Sequence, residues 1–292
     1  MNKITAHMTD EDYLQVIKEA GDSLKELLSF NEIKDKPKVA VVLGSGLGVF
    51  TEGLLNKKIV PYKNVTHMPD SSVPGHAGQW VYGLAGKYPV LVAQGRIHYY
   101  EGHDLKVVTL LVRVMKELGI KHLILTNAAG SVNKAYHPGD FMLLRDHLNV
   151  AGISPLRGIK HEAFGPRFVD MSEPYHRGVI TRLREVCQTK MPEVPVHEGV
   201  YYMSVGPHYE TPSEVKMAGI LGADAVGMST IPECIVARQG GIKVNGITCI
   251  TNYGSGIGKE PLSHHEVEAV GKKRAPDFCR LVNEMIGVVS EI

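Results

Sequence analysis

The amino-acid sequence predicts an α/β fold, a single domain in which a mixed, mostly parallel central β-sheet is flanked by helices on both faces. Short apolar runs of strand length, rich in β-branched residues, alternate with segments of helical periodicity. Such runs are typical of strands buried on both faces, and their alternation with helices favours parallel pairing. The 292 residues contain no internal repeat, low-complexity tract or linker, so we expect residues 1–292 to form one domain.

The first predicted element is an amphipathic helix. Apolar residues recur at helical spacing from Tyr13 to Leu28, directly after the acidic segment Thr9-Asp10-Glu11-Asp12, which is typical of a helix start. A second helix is predicted from Val107 to Leu118 by the helical periodicity of its apolar residues, and Gly119 marks its end. Strands are predicted at Val39–Leu43, Val90–Ala93, His122–Thr126, Phe141–Leu144, Tyr201–Val205 and Val244–Thr251.

One long segment, from Asn149 to Met171, is rich in Gly, Pro and Arg and shows no sustained periodicity. Loops of this length are uncommon in compact domains and are often functional. Its apolar residues Phe164, Phe168 and Val169 favour an ordered loop over a disordered one.

Composition and charge exclude several classes of protein. Hydrophobic content is 43%, charged content is 22% and the net charge is +1, with Lys and Arg scattered along the chain. This distribution argues against nucleic acid or an anionic membrane as the main partner. The first residues, MNKITAHMTDEDYL, lack the apolar region of a secretory signal, and no apolar run approaches the roughly 18 residues of a membrane span. We therefore expect a cytoplasmic protein.

The four cysteines are predicted to be reduced and buried. Cys187, Cys234, Cys249 and Cys279 lie far apart in the sequence and form no CxxC pair. No HExxH motif is present either, so we expect no zinc site.

Small or functional residues follow five of the predicted strands. In open α/β sheets, ligands bind outside the carboxyl ends of the strands. These five ends therefore predict one site, and their residues are Gly44-Ser45-Gly46, Gln94-Gly95-Arg96-Ile97-His98, Asn127-Ala128-Ala129-Gly130, Gly206-Pro207-His208-Tyr209-Glu210 and Asn252-Tyr253-Gly254.

An anion site is indicated by two of these segments and by a third, Gly227-Met228-Ser229-Thr230. Gly44-Ser45-Gly46-Leu47-Gly48 can turn successive backbone N–H groups toward an anion, although alone it is equally consistent with a plain tight turn. It is not a dinucleotide fingerprint, because Val49 occupies the position of the third glycine. Arg96 and His98 add a planar cationic fork and a ring that titrates near neutral pH. Ser229 precedes a predicted helix start, where free N–H groups favour anions.

Capping-box spacings separate structural residues from residues available for chemistry. Thr230 and Glu233 have this spacing, and so do Thr211 and Glu214, so we interpret Thr230 and Glu214 as helix caps. Glu210 precedes the second box and remains available. The spacing of Ser263 and Glu266 places His264 at another helix start, where it can cap or reach a ligand hydroxyl.

With these residues identified, the chain resembles a purine nucleoside phosphorylase of the homotrimeric type over nearly its whole length. The motifs that carry the resemblance are GSGLG at Gly44, SVPGHAG at Ser72, QGRIHYYEG at Gln94, TNAAG at Thr126, RDHLN at Arg145, GPHYET at Gly206, GADAVGMSTIPE at Gly222 and ITN at Ile250. Their order and spacing are highly specific.

The resemblance implies that inorganic phosphate attacks C1′ of a purine (deoxy)ribonucleoside and releases the free base and (deoxy)ribose 1-phosphate. It implies phosphate binding by Ser45, His76, Arg96, His98, Ala128 and Ser229; ribose binding by Tyr100, Met228, His264 and Phe168, the last in a neighbouring subunit's site; and base binding by Glu210, Asn252 and Tyr209. Asn252, Glu210 and His98 are the expected catalytic residues. The expected partners are the nucleoside, phosphate and copies of the same chain, and no cofactor is expected.

The residue at position 252 bears on specificity. Asn252 carries an amide donor and an acceptor suited to a 6-oxopurine such as inosine or guanosine, whereas related phosphorylases of 6-aminopurines carry Asp there. Two alternatives remain open. One is a methylthioadenosine or adenosine phosphorylase of the same fold, and the other is a nucleoside-binding protein without catalysis. A nucleoside hydrolase is disfavoured, because the chain lacks an Asp-rich calcium cluster.

Overall fold

The structure is a computed structural model that describes residues 4–5, 7–69, 77–259 and 261–292. Its strands are β1 (Val39–Leu43), β2 (Leu55–Pro61), β3 (Gln79–Ala85), β4 (Tyr88–Gln94), β5 (His122–Ser131), β6 (Phe141–Leu148), β7 (Val196–Met203), β8 (Ala225–Gly227) and β9 (Lys243–Tyr253). Its helices are α1 (Asp10–Leu27), α2 (Leu105–Val108), α3 (Leu110–Glu117), α4 (Arg177–Lys190), α5 (Pro212–Ile220), α6 (Ile231–Gln239) and α7 (His264–Ser290).

The strands form one nine-stranded sheet in the order β2-β3-β4-β1-β5-β8-β7-β6-β9. Strand β9 also pairs with β5, so β5, β8, β7, β6 and β9 close into a ring while β2, β3, β4 and β1 extend from it. Pairing is parallel for β1–β4, β1–β5, β5–β9, β6–β7 and β7–β8 and antiparallel for β2–β3, β3–β4, β5–β8 and β6–β9. The predicted mixed, mostly parallel sheet is thus confirmed.

Two groups of helices cover this sheet. Helices α1, α2, α3 and α6 pack on one another, while α4 packs on α7, which lies against β1, β4, β5 and β9. All five residues of β1 are buried, as a strand covered on both faces requires. The prediction of helices flanking the sheet is confirmed, and it matters for the site because the buried strands hold their carboxyl ends in place.

Several predicted boundaries were wrong. The helix predicted from Val107 is divided at Thr109 between α2 and α3, where the Thr109 hydroxyl donates to the Leu105 carbonyl oxygen at 2.7 Å; such back-bonding competes with the helical ladder. The strand predicted at Tyr201–Val205 is instead β7, which ends at Met203 and leaves Ser204 to the following loop. Strands β2, β3 and β8, and helix α4, were not predicted.

The long loop is ordered around Phe164, as predicted. Phe164 is buried and stacks on Tyr13 of α1 with ring centroids 5.7 Å apart. The Lys116 ammonium group donates to the carbonyl oxygens of Ala163 and Phe164 at 2.7 and 3.0 Å. Phe168, in contrast, is 87% exposed.

The cysteines are free thiols, as predicted, and three of the four are buried. Burial raises the pKa of the Cys234 thiol to about 12, so this thiol is protonated at neutral pH and behaves as a small apolar side chain. Among the helices that the structure describes, none is both long and apolar enough to cross a membrane.

Candidate active site

A cleft at the carboxyl ends of the strands brings most of the predicted site residues together. Eleven of the thirteen line it: Ser45, Arg96, His98, Tyr100, Ala128, Tyr209, Glu210, Met228, Ser229, Asn252 and His264. The cleft encloses about 750 Å³, counting the open space at its mouth, which is the size of small-molecule sites in general. Of the other two, His76 lies outside the described residues, and Phe168 is not part of the cleft of its own chain.

The glycine turn after β1 is held tightly against β5. A Cβ atom on Gly44 would lie 2.9 Å from the Thr126 carbonyl oxygen and 2.9 Å from Cα of Asn127, so only glycine fits there. The Gly44 N–H donates to the Thr126 hydroxyl at 3.1 Å, and Gly46 adopts a φ of +74°, which glycine reaches without strain. Ser45 is thereby placed at the wall of the cleft.

Arg96 is buried at one end of the cleft and is 1% exposed. Its Nη1 atom lies 3.3 Å from a carboxylate oxygen of Glu233, which is 2% exposed, and 3.1 Å from the Ser229 hydroxyl. Its Nη2 atom donates to the carbonyl oxygens of Val42 and Thr126. The guanidinium group is therefore fixed in position by its neighbours before any anion arrives, which favours binding at little cost in side-chain entropy.

His98 lies beside Arg96 and is also buried. Its ring stacks on Tyr100 with centroids 4.8 Å apart, and its Nδ1 atom is 3.3 Å from a carboxylate oxygen of Glu101. Burial lowers the pKa of His98, and the hydrogen bond that its ring can donate to the Glu101 carboxylate opposes that shift. The ring is therefore neutral at pH 7 in the isolated chain, and a bound anion would favour its protonation.

Ser229 lies against Arg96 in the lining of the cleft. Its backbone N–H donates to the buried Tyr201 hydroxyl at 3.2 Å. A Cβ atom on Gly227 would lie 2.4 Å from the same hydroxyl oxygen, so the glycine makes room for Tyr201. Ser229 lies two residues before α6 (Ile231–Gln239), near the end of the helix whose dipole favours negative charge.

The lining of the cleft also includes a carboxylate and an amide, Glu210 and Asn252. Glu210 is 7% exposed, and one of its carboxylate oxygens accepts a hydrogen bond from the Ser204 hydroxyl. Asn252 is 5% exposed; its Oδ1 atom accepts from the Thr251 hydroxyl and its Nδ2 atom donates to the Tyr253 carbonyl oxygen, each at 2.9 Å. The amide is therefore fixed in orientation and keeps one N–H for a ligand.

Tyr100, Met228 and His264 also line the cleft. His264 is the first residue of α7, and its Nε2 atom lies 3.5 Å from a carboxylate oxygen of Glu268 one turn later. Ser263 caps this helix by accepting from the Glu266 N–H at 3.2 Å, which confirms the predicted helix start. Tyr209 is 37% exposed and stands at the rim of the cleft.

Comparisons with known proteins agree with this geometry. Residues 38–287 match the family model of the phosphorylase superfamily. Purine nucleoside phosphorylase 1 of Geobacillus stearothermophilus is 45% identical over 272 residues, covering 92% of this chain and 96% of the relative. The purine nucleoside phosphorylase of Bos taurus is 41% identical over 289 residues and covers 96% of both chains.

The chain belongs to the purine nucleoside phosphorylase family. The sequence-based expectations of the family and of a pentosyltransferase enzyme are thereby confirmed. A solved purine nucleoside phosphorylase of Schistosoma mansoni, in complex with adenosine, is 36% identical, covers 94% of this chain and 96% of its own, and superposes with a TM-score of 0.86. A Schistosoma enzyme solved with hypoxanthine gives the same TM-score at 35% identity.

For this purine nucleoside phosphorylase, sequence reasoning missed a buried layer behind the site. Tyr201 accepts a hydrogen bond from the Ser229 N–H, and Ser204 donates one to Glu210. Asn127 donates to the hydroxyl of Thr230, the neighbour of Ser229. Thr230 was interpreted only as a helix cap, yet its hydroxyl contacts Arg96, Asn127 and Ser229. The position of Asn127 after a predicted strand was a usable signal, whereas nothing in the sequence marks Tyr201 or Ser204.

Proposed function

We propose that the protein catalyses the reversible phosphorolysis of 6-oxopurine ribonucleosides and deoxyribonucleosides, such as inosine and guanosine, to free base and (deoxy)ribose 1-phosphate. The observation that carries the proposal is the polarity of the cleft. Its lining combines Arg96, Ser229 and the glycine turn, which suit an anion, with Glu210 and Asn252, which suit a purine. We place the anion at the first group, the first end of the cleft, and the purine at the second group, the second end, with the sugar between them.

Phosphate binds at the first end in this proposal. Arg96, His98, Ser45, Ser229 and the backbone at Ala128 supply positive charge and N–H or O–H donors. A dianion there would offset the positive charge that develops on the sugar as the glycosidic bond lengthens. The donors are already held by the protein, so little reorganisation is needed during the reaction. His76 is proposed as a further phosphate ligand from its sequence motif.

The purine binds at the second end. The remaining N–H of Asn252 is proposed to donate to N7, where negative charge grows as the base leaves. This hydrogen bond strengthens toward the transition state and so lowers the barrier. The Glu210 carboxylate is proposed to accept from N1–H, and Tyr209 to cover one face of the ring. Tyr100, Met228 and His264 would contact the ribose.

Specificity follows from the donors and acceptors on these two side chains. A 6-oxopurine carries a proton on N1, which an ionised Glu210 can accept, whereas a 6-aminopurine has a lone pair there. The Glu210 carboxylate and N1 of a 6-aminopurine would then be two buried acceptors facing each other with no donor between them, which costs binding free energy. We therefore expect inosine and guanosine to be preferred over adenosine.

The test is to incubate the purified protein with inosine, with and without phosphate, and to measure hypoxanthine. We expect release only with phosphate, and much slower turnover of adenosine. Release at equal rates without phosphate would show hydrolysis, and no release in either case would show a binding protein. Comparable turnover of adenosine and inosine would refute the specificity. As a check on roles, Arg96→Ala should chiefly raise the KM for phosphate, while Asn252→Ala should chiefly lower kcat.

The proposal includes no cofactor, because phosphate is the attacking reagent and the leaving base needs only hydrogen-bond donors. Unchanged activity after dialysis against a chelator is the expected result, and loss that added metal restores would contradict it.

We further propose a single-domain cytoplasmic enzyme that acts as a homotrimer, with Phe168 reaching the ribose site of a neighbouring subunit. The 87% exposure of Phe168 supports this, because an aromatic side chain so exposed in one chain has apolar surface to bury in an assembly. Light scattering after size-exclusion chromatography should give three times the chain mass. Phe168→Ala should raise the KM for inosine; a monomer with full activity would contradict the proposal.

A further inference from the structure

The residue behind the anion-binding end, Thr230, has an unusual backbone. Its φ is +76° and its side chain is fully buried. Positive φ is a true outlier for a β-branched residue, and such outliers persist where the surrounding structure holds them in place. A glycine would adopt this conformation freely, so the side chain of Thr230 requires an explanation beyond helix capping.

The hydroxyl of Thr230 lies among several buried donors. Asn127 donates to it from Nδ2 at 2.9 Å, and in the capping box of α6 it accepts from the Glu233 N–H. A hydroxyl has two acceptor sites and one proton, so these two donors fill its acceptor sites, and the two protons on Nη1 of Arg96 can go to Ser229 and Glu233. The proton of Thr230 is left for the Ser229 hydroxyl oxygen, at 3.0 Å.

The same count applies to Ser229. Its hydroxyl oxygen accepts from Arg96 at 3.1 Å and, by the reasoning above, from Thr230. Both acceptor sites of Ser229 are then filled by buried groups. Its own proton is left for the cleft, which Ser229 lines.

We infer that Thr230 is a positioning residue that fixes the direction of the Ser229 O–H bond, so that Ser229 is held as a hydrogen-bond donor toward an anion. The inference rests on the proposed phosphate site. A serine hydroxyl normally rotates and can present either its proton or a lone pair to a ligand. Here the buried donors Asn127 and Arg96 remove that choice, and the site favours phosphate over a ligand that needs an acceptor at this position.

Thr230 also lies outside the chemistry itself. Its side chain is fully buried behind Ser229 and is not part of the cleft wall. Its backbone N–H donates to the Glu233 carboxylate at 3.0 Å, which any residue except proline can do. Removing the hydroxyl also removes its part in the capping box of α6, so the effect on phosphate must be compared with the effect on the nucleoside, which a weakened helix start alone would not separate.

The experiment compares Thr230→Val, which keeps the branched shape but removes the hydroxyl, with Thr230→Ser, which keeps the hydroxyl. We expect Thr230→Val to raise the KM for phosphate about tenfold, the scale of one hydrogen bond to a charged group. The KM for inosine at saturating phosphate should change less than twofold. Thr230→Ser should stay near the wild-type KM for phosphate. Equal losses in the two variants, or equal effects on both substrates, would overturn the inference.

A double-mutant cycle tests whether Thr230 acts through Ser229. Ser229→Ala alone should raise the KM for phosphate, and adding Thr230→Val should raise it little further, because the hydroxyl to be oriented is already gone. Additive effects would mean that Thr230 acts by another route and would refute the inference.

Asn127→Ala provides a second test if Thr230→Val does not fold, as judged by circular dichroism. It frees one acceptor site of Thr230 and so lets Ser229 turn its proton inward. The KM for phosphate should rise while the KM for inosine stays constant; an unchanged KM for phosphate would overturn the inference. Failure of the proposed function is distinguished beforehand, because it would appear in the wild-type protein as hypoxanthine release without phosphate or no release at all.

Discussion

The buried ion pair of Arg96 and Glu233 leads to a prediction about stability and phosphate together. Both side chains are almost completely buried, and Nη1 of Arg96 lies 3.3 Å from Oε2 of Glu233. At an effective dielectric constant of about 20, two unit charges at this distance attract by about 5 kcal/mol. Glu233→Gln keeps the shape of the side chain and removes the negative charge, so it leaves the guanidinium charge uncompensated.

Removing one partner of a buried pair typically costs about 3–5 kcal/mol. Unfolding entropy near 60 °C is about 2.1 cal/mol/K per residue, and for a chain of 292 residues this is about 0.6 kcal/mol/K. We therefore expect Glu233→Gln to lower Tm by about 5–8 °C in phosphate-free buffer. Phosphate replaces the missing negative charge, so its addition should raise the Tm of the variant more than that of the wild type.

The assay is differential scanning fluorimetry over a series of phosphate concentrations. Glu193→Gln is the matched control, because its partner Arg280 is also a cation but both side chains are about half exposed; such pairs contribute little, and a Tm change of about 1 °C or less is expected. The reasoning is refuted if Glu233→Gln has the same Tm as the wild type in phosphate-free buffer, or if phosphate raises the Tm of the variant less than that of the wild type.

Three further predictions concern single side chains. Ser204→Ala removes the donor to Glu210 and should raise the KM for inosine several-fold while leaving the KM for phosphate unchanged; a rise in both would argue for general damage. Gly44→Ala places a methyl group 2.9 Å from the Thr126 carbonyl oxygen and should lower both Tm and activity, whereas Gly53→Ala, where the added carbon meets nothing within 4 Å, should lower neither appreciably. Burial lowers the pKa of His122 to about 4, below the value of about 6.5 in an unfolded chain. The folded protein therefore has its full stability above pH 6.5 and becomes less stable as the pH falls toward 4. The Tm of His122→Gln should therefore decrease less between pH 7.5 and pH 5 than the Tm of the wild type. An equal decrease in both proteins would contradict this.

The sequence predicted the central strands because these strands are buried on both faces. Val39–Leu43 is apolar at every position and was placed correctly. Strand β2 escaped prediction because it lies at the end of the strand order and five of its seven residues are exposed, so no apolar run marks it. The C-terminal helix α7 was predicted only at its start, through the cap at Ser263.

The candidate site was predictable because its residues follow strands in the sequence. Arg96, His98 and Asn252 could be selected from strand ends alone, and the structure brings all three to one cleft. What could not be predicted is which groups stand behind them. The hydrogen bond between Tyr201 and Ser229 joins residues 28 positions apart, and Thr230 looked like an ordinary cap because a sequence does not show the direction of a hydroxyl or a φ angle.

The pairing of β5 with β9 has a consequence for how the enzyme can change. Strand β5 carries Ala128, and in the same ladder Gly130 pairs with Asn252 of β9. The positions of Ala128 and Asn252 relative to each other are therefore set by backbone hydrogen bonds, and a change in either strand would disturb both residues at once. Residues on the surrounding loops and helix starts, such as Tyr209 and His264, contact the cleft without belonging to this ladder. New substrate preferences are accordingly most accessible to selection at those positions, while the strands preserve the reaction.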